Sequence, residues 1–205
     1  MKKVIIIGAG ASGLVAAIYA AKNGNEVTLL EKNSSAGKKI LITGNGKCNY
    51  FNEDNNLKHY YSLDKQIISN IINEQNLKEI SSFFDSIGVI PKIKNGYYYP
   101  SSGLSATVKE SLLKECELLN VNIITDYEVN NIKWNGKFII NDKLEADSLV
   151  IATGGLAAPK TGSTGDGYKF AKKFNHSIFF PCCETHSIYD YYEFILFISN
   201  VSDLF

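Results

Sequence analysis

Arginine is absent from this chain of 205 residues, and lysine is the only strongly basic residue. Together with the abundance of Ile, Asn, Lys and Tyr, this absence is typical of AT-rich codon usage and predicts a bacterial gene of low GC content. Net charge is also absent, because 21 basic residues balance 21 acidic ones. No overall field therefore draws the chain to nucleic acid or to an anionic membrane, and we predict neither as a partner.

Cysteine is scarce and is not arranged for metal binding or disulfide pairing. The four cysteines are Cys48, Cys116, Cys182 and Cys183, and their spacing matches neither CxxC nor a zinc-ligand pattern. Such usage is typical of a reducing compartment, so we predict a cytoplasmic location and no metal site. No apolar run is long enough to predict a membrane-spanning helix.

Residues 4–17, VIIIGAGASGLVAA, allow two interpretations. As a secretory signal peptide, the stretch has two lysines before an apolar run that is followed by small residues. However, cleavage after Ala20 would place Ile18 where a small residue is preferred, and the glycines would interrupt the hydrophobic segment.

As a nucleotide-binding turn, the same stretch explains more of its residues. A buried strand over residues 4–7 is followed by Gly8, Gly10 and Gly13 in the pattern GxGxxG. In this motif the first glycine permits the tight turn, the second lets the backbone approach a pyrophosphate, and the third lets the helix pack closely on the strand. The motif alone is weak evidence.

The residues after the turn complete the pattern. The sequence predicts a helix over residues 14–23 that stops at Gly24, then a second strand, EVTLLE, ending at Glu31. Glu31 lies about twenty residues beyond the glycines, where an acidic residue accepts a hydrogen bond from a ribose hydroxyl. We therefore interpret the N-terminus as a dinucleotide-binding unit.

The rest of the chain alternates between helical and strand patterns. Apolar spacing predicts a helix over residues 64–87 and another over residues 105–119, and YYYP predicts the end of a short strand. From Val121 the sequence pattern changes to that of short strands. These predict a β-meander that ends in a buried strand, and this last strand is predicted to return to the first sheet. These strands are VNIIT, EVNNIKW, KFIIN and SLVIATGG.

The stretch LVIATGGLAAPKTGSTGDG is a second glycine-rich centre. Gly154, Lys160 and Thr161 have the spacing of a P-loop, but Pro159 occupies the second glycine position. Proline lacks the N–H and the conformational freedom that a phosphate cradle requires, so we reject the P-loop. The better interpretation is a strand whose glycine-rich exit approaches the same dinucleotide.

Four stretches match one family in order: GAGASGLVAA, GKKILITGNGKCNYFN, YPSSGLSA and ATGGLAAPKTGSTGDGYKFAKKFNH. The chain resembles the BaiN-like NAD(P)/FAD-dependent oxidoreductases, also described as the aminoacetone oxidase family of FAD-binding enzymes. The match covers roughly residues 1–178. It implies an α/β, two-dinucleotide-binding (Rossmann-like) FAD-binding fold with a parallel sheet and a small β-meander. Relatives commonly carry arginine where this chain has Lys38 and Lys47, and lysine cannot make a bidentate fork to phosphate.

The resemblance also implies which residues contact FAD. Gly8, Gly10, Ser12 and Gly13 would bind the pyrophosphate, and Glu31 would bind the adenosine ribose. The contacts implied toward the pyrophosphate and flavin are Lys39, Gly44, Gly46, Lys47, Cys48 and Asn49. The contacts implied toward adenine, the second FAD segment and the flavin side are Val129; Ala152, Thr153 and Gly154; and Thr161, Gly162, Thr164, Gly165 and Asp166.

Two of these residues have simpler interpretations that stay open. Cys48 is more often a small packed residue than a redox centre. Asp166 can serve to start the helix of GDGYKFAKKF by interacting with its N-terminus. The histidines lack neighbouring motif partners, so we assign no catalytic residue.

The match stops after residue 178. We expect an incomplete FAD-binding domain over residues 1–178 and a non-family tail over residues 179–205, frameshifted or disordered. An alternative is a genuine short protein whose tail forms a helix or a dimer contact. On the first account the chain is apparently truncated relative to the family, and we expect weak FAD retention and little turnover by itself.

The predicted function is an FAD-binding flavoprotein oxidoreductase, NAD(P)H-linked, acting on a small molecule that the sequence does not identify. Hydride chemistry belongs mainly to the flavin, while the protein supplies position and electrostatics. A first alternative is a catalytically incompetent FAD-binding fragment. A second is an NAD-dependent Rossmann dehydrogenase, which shares the first turn but leaves GNGKCN and ATGG unexplained.

Overall fold

The computed structural model describes residues 1–60, 65–156, 158–178 and 196–198. The chain divides into two units: residues 1–39 with 113–205, here the first unit, and residues 40–112, the second unit. The sequence predicts one incomplete domain over residues 1–178, and the extent of the cofactor-binding domain stays a prediction.

The described residues form α-helices and β-strands, which are numbered here in chain order. The strands are β1 (Lys3–Ile7), β2 (Glu26–Leu30), β3 (Phe51–Asn52), β4 (Pro91–Lys94), β5 (Tyr97–Pro100), β6 (Asn122–Ile124), β7 (Ile132–Trp134), β8 (Phe138–Ile140), β9 (Leu144–Ala146), β10 (Ser148–Ile151) and β11 (Leu196–Ile198). The helices are α1 (Ala11–Lys22), α2 (Lys65–Ile71), α3 (Glu74–Ser86), α4 (Ser105–Leu118) and α5 (Asp166–Lys173).

A five-stranded sheet forms the centre of the first unit, in the order β11-β10-β1-β2-β6. β10, β1, β2 and β6 run parallel, and β11 pairs antiparallel to β10. All four residues of β10 and the last four of β1 are buried. Strands covered on both faces need continuous apolar side chains, which explains the runs VIII and SLVI. The predicted return of the later strand to the first sheet is confirmed.

Helix α1 packs closely against the turn that follows β1. A Cβ added at Gly13 would lie 1.8 Å from the carbonyl oxygen of Gly8, and Gly8 itself adopts φ +101°. Leu14 and Ile18 are fully buried on the same helix. Both glycines are therefore required by the fold, because any side chain at either position collides with backbone or strains it.

The β-meander is an antiparallel sheet of β7, β8 and β9. Its apolar residues Ile132, Phe138 and Ile140 form one core cluster with Ile5 and Leu149 of the parallel sheet. The sequence assignment was wrong at one end of this meander: VNIIT, placed there, instead supplies β6, which pairs parallel with β2. The third strand of the meander is instead β9, which the sequence pattern did not predict.

The second unit contains a three-stranded antiparallel sheet in the order β3-β5-β4. The single helix predicted over residues 64–87 is broken into α2 and α3. Asn73 adopts an extended conformation there, and its side chain caps α3 by accepting a hydrogen bond from the backbone N–H of Asn76 at 3.0 Å. An asparagine that competes for backbone donors in this way ends one helix and begins the next.

Most of the predicted tail, residues 179–195 and 199–205, lies outside the described residues. Strand β11 falls inside it and pairs Leu196–Ile198 with Leu149–Ile151. Within the described ranges, every helix is too short or too polar to cross a membrane.

Gly13→Ala should destabilise the chain by about 3 kcal/mol or more, because its methyl group cannot be placed without separating α1 from the turn after β1. Chemical denaturation monitored by far-UV circular dichroism measures the change. Gly10→Ala is the matched control. Gly10 has φ −74°, so alanine there should cost only about 1 kcal/mol, the ordinary penalty for losing a glycine at a helix N-terminus. Equal stability of the two variants would contradict this account of the packing.

Candidate functional site

A cleft opens in the first unit at the carboxyl ends of β1, β2 and β10. In parallel α/β sheets this edge is where ligands bind, because loops and helix N-termini converge there. The cleft is lined by Ile7, Gly8, Ala9, Gly10, Leu30, Glu31, Lys32, Asn33, Lys38, Lys39, Tyr127, Glu128, Val129, Ala152, Thr153, Gly154, Thr161, Gly162, Ser163, Asp166 and Phe170.

The turn between β1 and α1 forms one wall of this cleft. Gly10 is the N-cap of α1, with φ −74° and ψ −171°, and the helix has neither a side-chain cap nor an acidic residue in its first turn. The partial positive charge of the helix N-terminus therefore stays available to an anion in the cleft. Unlike Gly8, Gly10 has a backbone conformation that any residue can adopt, so the turn itself does not demand glycine at this position.

Glu31 follows β2 and is 7% exposed. Its Oε2 accepts a hydrogen bond from the backbone N–H of Ala9 at 2.9 Å. Its Oε1 accepts one from the backbone N–H of Asn33 at 2.8 Å and one from Asn33 Nδ2 at 2.6 Å. These donors hold a buried carboxylate at the cleft wall, where a hydroxyl donor can reach it.

The segment after β10 forms the opposite wall. Gly154 adopts φ +74°, and a Cβ there would lie 2.6 Å from Ser163 Oγ and 3.5 Å from Lys39 Nζ. The hydroxyl of Thr153 accepts a hydrogen bond from the backbone N–H of Gly167 at 3.0 Å. This contact ties the exit of β10 to the first turn of α5. Lys38 and Lys39 also belong to the cleft lining, together with Lys32.

Asp166 is the first residue of α5, as one interpretation of the sequence predicts. Its Oδ2 accepts hydrogen bonds from Lys32 Nζ at 2.6 Å and from Thr164 Oγ1 at 2.8 Å. Partial burial acts to raise the pKa of Asp166, but the hydrogen bonds from Lys32 and Thr164 and the charges of Lys32 and Lys169 outweigh it and lower that pKa. The carboxylate is therefore ionised and paired at neutral pH.

Eleven of the residues implied to contact FAD lie together in the cleft lining. Four others, Ser12, Gly13, Thr164 and Gly165, belong to the same unit but do not line it. The remaining five are in the second unit, so their approach to the pyrophosphate and flavin stays a prediction. These five are Gly44, Gly46, Lys47, Cys48 and Asn49.

Two residues of the GNGKCN stretch have local roles in the second unit. Cys48 is buried, and burial raises the pKa of its thiol while a hydrogen bond with Thr43 opposes the shift. The thiol is therefore protonated at neutral pH, as expected for a packed residue. The side-chain amide of Asn49 donates to the carbonyl oxygens of Phe51 at 2.9 Å and Tyr98 at 3.2 Å.

Sequence reasoning missed several lining residues, chiefly Lys32, Asn33 and Tyr127. Lys32 and Asn33 directly follow Glu31, so their position in the chain was a usable signal. Tyr127 carried no such signal. Its hydroxyl is buried and has no hydrogen-bond partner among the described residues. The same residues contain no group of three or more His, Cys, Asp or Glu side chains that could hold a metal ion.

Two curated relatives align with most of this chain. It is 38% identical over 184 residues to a 3-dehydro-bile acid delta(4,6)-reductase of Clostridium scindens, covering 87% of this chain and 45% of the relative. It is 30% identical over 186 residues to a ribosomal RNA dihydrouridine synthase of Haemophilus influenzae, covering 86% of this chain and 46% of the relative. The chain thus spans slightly less than half the length of these relatives.

Solved structures of low sequence identity share the fold. An open conformation of a flavocytochrome c3 fumarate reductase superposes with a TM-score of 0.63 at 20% identity, over 84% of this chain and 40% of that one. A 3-ketosteroid-delta4-(5alpha)-dehydrogenase of Rhodococcus jostii RHA1 gives a TM-score of 0.60 at 16% identity, over 76% of this chain and 46% of that one. These likenesses and the parallel sheet confirm the predicted Rossmann-type FAD-binding fold.

The family comparison covers nearly all of the described residues. Residues 2–184 match the HI0933-like protein Rossmann domain, which confirms the resemblance identified from the four sequence stretches. The chain belongs to the HI0933-like Rossmann-domain family of FAD-binding oxidoreductases.

Proposed function

We propose that the first unit binds FAD in its cleft and that the chain is the FAD-binding part of an oxidoreductase that adds hydrogen to an unsaturated small molecule, with NAD(P)H as electron donor. The observation that carries the proposal is the meeting of three features at one sheet edge. These are the turn from Gly8 to Gly13, the buried carboxylate of Glu31, and the Gly154 turn with Lys38 and Lys39 beside it.

The residues at this edge fit an adenosine pyrophosphate. A side chain at Gly10 would project where the backbone must approach a phosphate, although the local φ and ψ do not demand glycine. The uncapped N-terminus of α1 and the two lysine ammonium groups complement a pyrophosphate carrying two negative charges. Glu31 supplies the acceptor that a ribose hydroxyl needs. These four elements together favour a dinucleotide over a mononucleotide.

When bound, the flavin supplies the hydride transfer. The chain's own residues hold and orient the nucleotide. Backbone N–H groups at the start of α1 and the ammonium groups of Lys38 and Lys39 neutralise the pyrophosphate, and Glu31 fixes the ribose. Asp166, ionised and held by Lys32 and Thr164, is placed at the cleft wall as an acceptor for a donor group of the ligand.

The names of the two relatives support the proposed reaction class. A delta(4,6)-reductase and a dihydrouridine synthase both take their names from the addition of hydrogen across an unsaturated bond. The relative with the higher identity is named for a bile acid. This chain has no net charge, because its 21 basic residues balance 21 acidic ones. It therefore lacks the positive field that strengthens binding to a polyanion such as ribosomal RNA. We therefore propose a small-molecule substrate. The scarcity of cysteine and the absence of arginine support a cytoplasmic, bacterial setting.

Incubation of the chain with equal concentrations of FAD and FMN should yield protein carrying FAD alone, because FMN lacks the adenosine half that Glu31 and the Gly8–Gly13 turn would hold. Equilibrium dialysis, which also measures weakly bound ligand, followed by mass spectrometry of the nucleotides on the protein side identifies the ligand. Enrichment of FMN without FAD would contradict the proposed site. Enrichment of neither flavin would contradict FAD binding by this chain.

Gly10→Val should abolish FAD binding and leave the fold largely intact, because the valine side chain would occupy the space that the pyrophosphate requires. Thermal unfolding with and without saturating FAD measures both effects. The expected result is loss of the FAD-induced rise in melting temperature, with a change of about 1 kcal/mol in the stability of the nucleotide-free protein.

Ala21→Val is the matched control for this variant, since it adds a β-branched side chain to the same helix at a position outside the cleft lining. It should keep the FAD-induced stabilisation. Stabilisation of Gly10→Val by FAD to the wild-type extent would show that the pyrophosphate does not lie against this turn.

Thiol chemistry should play no part at Cys48. Because burial raises its pKa, iodoacetamide at pH 8 should leave Cys48 of the native protein largely unmodified, with the rate increasing only as the pH rises further. Cys116, whose pKa is raised by burial to about 12, serves as an internal control for a buried thiol. Peptide mass spectrometry measures the modification, and both should react fully in denaturant. Rapid alkylation of Cys48 at pH 7 would indicate an activated thiolate instead.

A further inference from the structure

The carboxylate of Glu31 has fewer open acceptor directions than its proposed ligand has hydroxyl donors. Each carboxylate oxygen accepts about two hydrogen bonds. Oε1 already receives the backbone N–H and the side-chain amide of Asn33, at 2.8 and 2.6 Å. Oε2 receives the backbone N–H of Ala9 at 2.9 Å. Among the contacts of the described residues, one acceptor direction is therefore left, on Oε2.

The amide of Asn33 is held in this position from its other side. Asn33 Nδ2 also donates to the carbonyl oxygen of Thr161 at 3.3 Å, a contact between residues 128 positions apart. At the next residue, Gly162, a Cβ would lie 2.6 Å from the same nitrogen. The amide is thus enclosed between Glu31 and the Thr161–Gly162 backbone, and it cannot swing away unless that backbone moves.

The segment of residues 161–166 is itself tied to the same end of β2. Lys32 Nζ donates to Asp166 Oδ2 at 2.6 Å and to Thr164 Oγ1 at 2.7 Å. Displacement of the Asn33 amide by a ligand would therefore work against a charged pair on the neighbouring residue as well. The arrangement favours leaving Asn33 in place when a nucleotide binds.

We propose that Asn33 is a specificity-determining residue that restricts Glu31 to one of the two hydroxyls of the adenosine ribose. This inference rests on the proposed function, since it takes the adenosine half of FAD as the ligand. The ribose carries two vicinal hydroxyls, and the open direction on Oε2 accepts one of them. The other hydroxyl then makes no hydrogen bond to the carboxylate, and its removal leaves affinity nearly unchanged.

Isothermal titration calorimetry of the full chain with ADP, 2′-deoxy-ADP and 3′-deoxy-ADP tests this proposal, because each analogue lacks one hydroxyl. For the wild type, one analogue should bind within about twofold of ADP. The other should bind about tenfold or more weakly, the effect of losing a hydrogen bond to a charged acceptor.

Asn33→Ala should change this pattern, because it opens the second direction on Oε1. Both deoxy analogues should then bind about tenfold more weakly than ADP. Asn33→Ser, whose hydroxyl is shorter than the amide, is a second variant that should shift the pattern in the same way. Circular dichroism and the melting temperature establish that each variant is folded, and the ratio between analogues does not depend on overall stability.

Lys32→Gln is the matched control, since it breaks the pair with Asp166 but keeps the amide of Asn33. It should retain the single-hydroxyl pattern whatever its absolute affinity. The dual pattern in Lys32→Gln would assign the effect to the 161–166 segment and overturn the proposal for Asn33.

Four further outcomes would overturn the proposal. Loss of affinity for both analogues in the wild type would mean that the amide moves aside, and loss for neither would mean that Glu31 does not recognise the ribose. An unchanged pattern in Asn33→Ala would remove Asn33 from specificity. A folded wild-type chain that binds neither ADP nor FAD would overturn the proposed function itself, and this inference with it, whereas FAD binding with the wrong analogue pattern overturns the inference alone.

Discussion

The close approach of α1 to the turn after β1 is the constraint on which the rest of the first unit depends. With no side chain at Gly13, the helix lies against the carbonyl of Gly8, and Leu14 and Ile18 reach the sheet core. The same contact sets where the helix begins, and hence where its unpaired N–H groups point. The position of α1, its packing on the sheet and the positive potential of its N-terminus at the cleft wall therefore all depend on the absence of a side chain at Gly13.

The sequence predicted the elements whose signals are local. The strand, glycine turn, helix, strand and terminal Glu31 occupy about thirty consecutive residues, and each imposes its own pattern of apolar spacing or turn chemistry. The break between α2 and α3 was missed because Asn73 reads equally well as a polar helix residue or as a cap. VNIIT was misassigned because the pairing of a three-residue apolar strand depends on its partner, and β2 lies far back along the chain.

The candidate site was predictable to the same degree and for the same reason. Residues within glycine-rich stretches were found, whereas the roles of Lys32 and Asn33 depend on partners 134 and 128 positions away. Their contacts arise only when β10 returns to the first sheet and carries the following segment beside β2. With lysine in place of arginine, the cationic contacts to this edge are point charges that impose little directional preference.

The connection from β2 to β6 has a consequence for how this molecule folds and evolves. Two strands that are neighbours in the sheet are separated along the chain by the whole second unit, residues 40–112. Closing so long a loop costs only slightly more free energy than closing a shorter one, because the entropic penalty grows only with the logarithm of length. It does delay the pairing of β2 with β6 relative to that of sequence neighbours. Insertions and deletions in the loops of the second unit should therefore leave the register of the sheet that carries Glu31 unaltered during evolution.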